Sequence, residues 1–370
     1  MVKNSIHIGW LWSSIMLMLL TACSSSDDTA GRQPTMLTIY VYSPERPMLT
    51  RADVGPVNAT EAESKVTSLQ IWVYDEVGNL VGYLSTNETA NLNEQEGAIY
   101  QIPVSDDFAQ NKPNVDVYVM ANVTSTTCGV TSANFTESTT RTDLQDKAKI
   151  FESHFGLSSL TTVVPEDGLP MAGVLKDQPV VGEAPVLRIG TQNNIATVPL
   201  TRAVSKLRFV FANTAGASAL SITGITLNAN MIPNEEYLFP QAQALTYNMS
   251  AVSLLPNPIA EVATTTTPAN FVYNGQTTAQ AYESLINGAG LTQVGSYYLR
   301  ESDRKLAGTI SYQVAGEAMQ ASFRMVESDF KRNHSWIVYA YYEGLSGMKV
   351  QTVDVTPWEE KDATHEVYNW

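Results

Sequence analysis

Short runs in which apolar and polar residues alternate recur along most of the chain. The first is Met36–Tyr42, where Leu37, Ile39 and Val41 alternate with Thr38, Tyr40 and Tyr42. A period of two in β-branched and aromatic residues predicts a strand. The loop that follows, Ser43–Arg51, holds two prolines and two arginines, Arg46 and Arg51, and offers a site to a trypsin-like protease.

Residues 52–64 read as a linker. Lys65–Tyr74 then predicts a strand with Leu69, Ile71 and Val73 on one face, and the turn at Asp75–Asn79 returns through Leu80–Leu84 as a hairpin. Ala98–Val104 and Asn114–Asn122 predict further strands. Arg141–Ser153 breaks the pattern: Leu144, Ala148 and Phe151 recur at helical spacing, with Thr142 or Asp143 as N-cap. Gly168–Gly173 reads as a turn, and Val180–Ile189 and Ile195–Leu200 as strands.

Val198–Phe211 reads as a crossover into a second domain, which puts the boundary between 52–199 and 200–370. In Ala203–Phe211 the apolar face is Leu207, Phe209 and Phe211, and Lys206 and Arg208 are expected on a solvated face. Ile222–Leu227, a hairpin of Leu306–Val314 and Met319–Met325, and Phe330–Tyr342 continue the β pattern. Residues 230–300 are rich in Pro, Asn and Thr and read as long loops over a β scaffold. In the tail, Met348 and Val350 alternate, then Val353 and Val355, with a phase slip that predicts a bulge or bend. The tail carries Trp358 and ends on Trp370, an apolar finish where chain ends are usually frayed and polar. The fold class is mostly β, with a helix in the first domain.

The leader changes where such a chain belongs. Lys3 precedes an apolar stretch from Gly9 to Leu20, followed by Leu20-Thr21-Ala22-Cys23. Small residues before a Cys at that place resemble a bacterial lipoprotein box. The expected products are a signal peptide, 1–22, and a lipidated propeptide, 23–51, with diacylglycerol on Cys23. This implies the envelope of a double-membraned bacterium. Apolar residues make up 44% of the chain, which suits a packed globular protein, and charged ones only 16%. The net charge is −15, and loss of residues 1–51 would leave −16, a surface that repels nucleic acid.

No catalytic motif, P-loop or metal-binding spacing occurs. The four His (His7, His154, His334, His365) are scattered, and Cys128 stands alone once Cys23 is lipidated. The acidic pairs Asp106-Asp107, Glu235-Glu236 and Glu359-Glu360 fall in turn-like contexts. The expectation is a protein with no catalytic residues, no metal and no cofactor. Trp72, Trp336 and Trp358 are expected to pack in cores rather than form a glycan platform.

Several stretches, in order, resemble the fimbrillins, the shaft subunits of type V pili of Bacteroidales. They are Leu-Thr-Ala-Cys23, Leu49-Thr-Arg-Ala-Asp53, Glu63–Tyr74, Val117–Asn122, Leu200-Thr-Arg-Ala-Val-Ser-Lys206, Arg332-Asn-His334 and the Trp-ended C-terminus. The resemblance implies two transthyretin-like β-sandwich domains, export as an outer-membrane lipoprotein, and cutting by an Arg-specific protease. The cut is expected at Arg51–Ala52, with Arg46 disfavoured because Pro47 follows it. The strand bearing Leu37, Ile39 and Val41 would then leave. A donor segment of about 348–370 from another copy, with Met348, Val350, Val353, Val355, Trp358 and Trp370, would replace it. Implied partners are other copies of the chain, accessory fimbrial subunits and a host or bacterial surface ligand. The alternatives are an anchor subunit, a tip subunit or adhesin, and a surface glycan-binding lipoprotein.

Overall fold

The structure, a computed structural model, describes residues 33–42, 60–89, 92, 97–216, 219–241, 245–247, 250–255, 257–265, 291–325 and 330–355, with the backbone alone at 351–355. The first half holds β1 (Thr35–Tyr42), α1 (Glu61–Ser64), β2 (Leu69–Asp75), β3 (Leu80–Thr86), β4 (Ala98–Val104), α2 (Asp106–Asn111), β5 (Val115–Ala121), α3 (Arg141–Lys147), β6 (Lys149–Ile150), β7 (Met171–Gln178), β8 (Val180–Glu183), β9 (Val186–Ile189), β10 (Thr197–Pro199) and β11 (Thr201–Arg202). The second half holds β12 (Val204–Asn213), β13 (Leu220–Leu227), β14 (Glu236–Tyr237), β15 (Val252–Ser253), β16 (Thr292–Arg300), β17 (Ala307–Val314), β18 (Glu317–Arg324), β19 (Ser335–Tyr342) and β20 (Met348–Val355).

These strands build two sandwiches. In the first, one sheet runs β10-β1-β9-β8, with β4 on the other side of β1, and the facing sheet runs β11-β7-β5-β2-β3. Alternation sends Leu37, Ile39 and Val41 from the one sheet, and Leu69, Ile71, Val73, Val117 and Val119 from the other, into a shared core. The second sandwich faces β16-β12-β19-β20 with β15-β13-β17-β18. Its core includes Leu207, Phe209, Phe211, Ile222, Ile225, Trp336 and Val338.

A third core lies on the outer face of the β2/β5 sheet. Trp72, Tyr74, Tyr118 and Met120 are covered there by Phe135, by Leu144 of α3, and by Val204, Leu238, Phe239 and Tyr298 from the second half. The polar tips find partners in the covering loop: Trp72 Nε1 donates to the Thr136 carbonyl at 3.0 Å, and the Tyr74 hydroxyl to that of Thr139 at 2.7 Å. The β2 strand is therefore buried on both faces, which its mixed pattern of aliphatic and aromatic residues allows.

Several expectations are corrected. The helix at 141–153 stops at Lys147, because Ala148 turns extended (φ −77, ψ 92) and Lys149–Ile150 pairs with β14. Its N-cap is Thr140, whose side chain accepts from the Asp143 amide. The end of the expected linker is α1, stabilised by a capping box between Thr60 and Glu63. Asp106 and Asp107 form the acidic first turn of α2, capped by Ser105, where they favour the helix dipole. The stretch 168–173 already enters β7 at Met171, and Val180–Ile189 is a hairpin of two strands. Over Met348–Val355 the tail has no bulge: β20 pairs with β19 in unbroken register from Tyr342↔Met348 to Ser335↔Val355. At the crossover, β11 still pairs with β7, and the second sandwich begins at Val204.

Candidate functional site

The strand that sequence singled out sits inside its sheet. β1 runs antiparallel to β4, from Thr35↔Val104 to Val41↔Ala98. On its other side it is parallel to β9 over Met36–Thr38 and to β10 over Tyr40–Tyr42. Two further bonds close its ends: Met36 N–H donates to the Pro185 carbonyl at 2.8 Å, and Leu200 N–H to the Tyr42 carbonyl at 2.8 Å. Leu37, Ile39 and Val41 are at most 1% exposed. Burying these three side chains contributes roughly 5–9 kcal/mol.

Among the described residues, β4 and β10 have no other strand partner in this sheet. Withdrawing β1 would leave β4, β10 and the β8–β9 hairpin apart, around three empty apolar positions flanked by unpaired backbone groups. Such an opening demands another strand. Gly97, at φ +72, marks how closely the start of β4 approaches β1, since a Cβ there would lie 2.6 Å from the Val41 carbonyl oxygen.

The expected donor segment begins elsewhere. β20 is the edge strand of the second sandwich. Met348 is 9% exposed and belongs to that core, and Val350 packs against it. The backbone of Val353 and Val355 continues the ladder on β19. β1 and β20 thus belong to different sandwiches. Cys23, Arg46, Arg51, Ala52, Trp358 and Trp370 lie outside the described residues, as do His7 and His365.

The expectation of a solvated basic face on β12 fails. Lys206 Nζ reaches Glu63 Oε1 at 2.7 Å, and Glu63 is fully buried. The Tyr298 hydroxyl donates to the same oxygen at 2.6 Å, while Glu63 Oε2 accepts from Thr60 N–H at 2.8 Å. Arg202, also buried, donates from Nε to the Glu63 carbonyl at 3.0 Å and from Nη1 to Asn333 Oδ1 at 3.1 Å. Asn333 N–H donates to the Val204 carbonyl at 2.9 Å. Arg208 Nη2 donates to Ser335 Oγ at 3.1 Å. Four residues from three separate stretches, Glu63, Arg202, Lys206 and Asn333, therefore meet at one buried node between the sandwiches. No local pattern signals it, since Glu63 and Tyr298 stand 235 positions apart.

Burial works to raise the Glu63 carboxyl, but the Lys206 charge and the hydrogen bonds from Lys206, Tyr298 and Thr60 outweigh it and hold it below its ordinary value. A lowered carboxyl contributes stability above its unfolded value, and that contribution is lost as pH falls through the folded one. Replacing Lys206 by Met should strand a buried carboxylate and cost about 3–5 kcal/mol at neutral pH. The penalty should fade in acid, as denaturant melts at several pH values would register.

Among the described residues little else is poised for chemistry. Burial pushes the Cys128 thiol up to about 12. The His154 ring bonds Ser153 Oγ through Nδ1 at 2.8 Å. Among the described residues no cluster of His, Cys, Asp or Glu is placed to hold a metal ion. Trp72 and Trp336 are both fully buried.

Residues 48–202 match the family of the major fimbrial subunit protein (FimA). Over this segment the chain is similar to that family. The FimA match begins in the two-arginine stretch after β1 and ends on β11, so it spans the first sandwich without β1. A candidate cell adhesion protein from Parabacteroides distasonis has a similar fold, with a TM-score of 0.51, 14% identity, and coverage of 89% of this chain and 99% of that one. Another, from Bacteroides eggerthii, gives 0.50, 14%, 89% and 97%. The tip fimbrial protein Mfa3 of Porphyromonas gingivalis gives 0.49, 12%, 86% and 98%. At such identities the first two likenesses speak for the fold alone. No curated protein matches the sequence.

Proposed function

We propose that the chain is a structural subunit of cell-surface fimbriae, made as an outer-membrane lipoprotein and polymerised by exchange of β1 for a strand of another copy. One observation supports this reading: β1 is paired on both sides with its inward side chains Leu37, Ile39 and Val41 buried, yet the sequence that follows it carries Arg46 and Arg51, and β1 lies outside the FimA-matched segment.

In this reading the lipid on Cys23 holds the precursor at the outer membrane while β1 keeps the sandwich closed. An Arg-specific protease cuts after Arg51. β1 leaves, and the C-terminal segment of a neighbouring subunit supplies backbone bonds to β4, β9 and β10 and apolar side chains to the positions of Leu37, Ile39 and Val41. Because donor and acceptor surfaces differ, the contact is head-to-tail and grows into a filament that ends on accessory subunits. Such a fibre serves adhesion to host or bacterial surfaces. The glycan-platform alternative has lost two of its three candidate aromatics, since Trp72 and Trp336 are buried.

The Arg51→Ala variant should accumulate as acylated monomer, and protein taken from wild-type cells should begin at Ala52 when its N-terminus is read by mass spectrometry. Normal fibres from the variant would defeat the reading. An acylated Cys23 on fibre-bound wild type would mark an anchor subunit instead.

A further inference from the structure

The sandwiches also meet through a second charged cluster that strand exchange does not use. β14 pairs with β6 across the junction and carries Glu236, which is 4% exposed. Glu236 Oε1 accepts from Arg332 Nη2 at 3.0 Å and from the Tyr237 amide at 3.0 Å. Its Oε2 is buried with no hydrogen-bond partner among the described residues.

The same guanidinium is already held by Glu301. Arg332 Nη2 lies 2.6 Å from Glu301 Oε1, Nε donates to that oxygen at 2.8 Å, and the Arg332 amide donates to Oε2 at 3.0 Å. Arg332 also donates to the carbonyls of Leu238 and Tyr237 at 2.8 and 2.6 Å. The nearby cations give Glu236 little more. Arg300 directs its donors to the carbonyls of Pro233, Phe151 and His154, with Glu152 beside it, and Lys149 pairs with Glu235 at 3.0 Å. The His154 ring is turned to Ser153.

A buried carboxyl with an orphan oxygen and a half-buried one on the same guanidinium do not both ionise at low cost. We infer that Glu236 and Glu301 hold a single proton between them, and that its loss loosens the junction of the two sandwiches. The proton resides on Glu236. Burial, with the Glu301 charge, pushes that carboxyl up to about 7 against the pull of Arg332. Burial also works to raise Glu301, but Arg332 outweighs it and keeps Glu301 ionised. A carboxyl raised on folding favours the folded state below its unfolded value, and that contribution is lost as pH rises through the folded one. Acid therefore tightens this junction and mild alkali relaxes it, whether or not the chain polymerises.

The test compares thermal melts of the full chain with those of Glu236→Gln between about pH 5 and 8, where the difference isolates this carboxyl. The variant should gain on the wild type as pH rises, and exchange-protected amides around β6 and β14 should open with pH in the wild type alone. A difference in melting temperature that stays constant across the range would overturn the proposal. If Glu236→Gln does not fold, carbon NMR of labelled Glu side chains in the wild type decides. A carboxyl with a midpoint near neutrality that drops in Glu301→Gln supports the shared proton, and ordinary carboxylate midpoints throughout refute it.

Discussion

Replacing Ile39 by Asp should unfold the first sandwich and leave the second standing. Ile39 is 1% exposed, faces the shared core, and pairs opposite Tyr100 on β4. Losing its burial and placing a carboxylate there removes more than about 5 kcal/mol, a sum comparable to the whole stability of an ordinary domain. The inner cores of the two sandwiches share no side chain, although a third core joins their outer faces, so the damage should fall first on the sandwich that holds β1. Hydrogen exchange should show amides of β2, β5 and β7 losing protection while those of β12, β17 and β19 keep it. A synthetic peptide of residues 35–42, added in trans, should restore the lost protection, because the opening it fills has backbone partners on both sides. A variant that melts like the wild type would mean that β1 is dispensable to the fold, and a dispensable strand cannot serve as a plug.

That outcome is foreseeable because β1 was written plainly into the chain. Leu37, Ile39 and Val41 announce an inward face, and local alternation also announced β2 to β5 and the β17–β18 hairpin. Family motifs were legible as sequence but not as geometry. Glu63, Arg202, Lys206 and Asn333 lie in three of the stretches that resemble fimbrillins, yet only the folded chain reveals that they form one node. Hydropathy alone assigns Lys206 to solvent, because it cannot see a buried carboxylate more than a hundred residues away. The same blindness affected Glu236, which looked like half of a turn-forming acidic pair and is a junction residue. The helix at 141–147 ran short for a related reason: β14, a distant strand, captures Lys149–Ile150 before the helical pattern is spent.

Two truncations of the tail should separate its parts. Ending the chain after Gly347 removes β20, withdraws Met348 from the second core and bares the edge of β19, a strand whose every side chain is buried. The loss of the buried Met side chain alone costs about 2–5 kcal/mol, and an open apolar edge adds an aggregation hazard. This shorter chain should melt early and aggregate, whereas a chain ending at Val355 keeps the whole β19–β20 ladder and should remain a folded monomer. Polymerisation then distinguishes two donors. If β20 itself were donated, every subunit would open its second sandwich to close its neighbour's first, and the gain would be largely offset. A donor lying beyond Val355, a stretch that includes Trp358 and Trp370, would leave the β19–β20 ladder intact. The chain ending at Val355 should therefore fold, be cut after Arg51 and fail to form fibres, as electron microscopy and size exclusion would record. Fibres from that chain would make Met348, Val350, Val353 and Val355 the donor residues after all, and would require β19 to find a new neighbour in the assembled state.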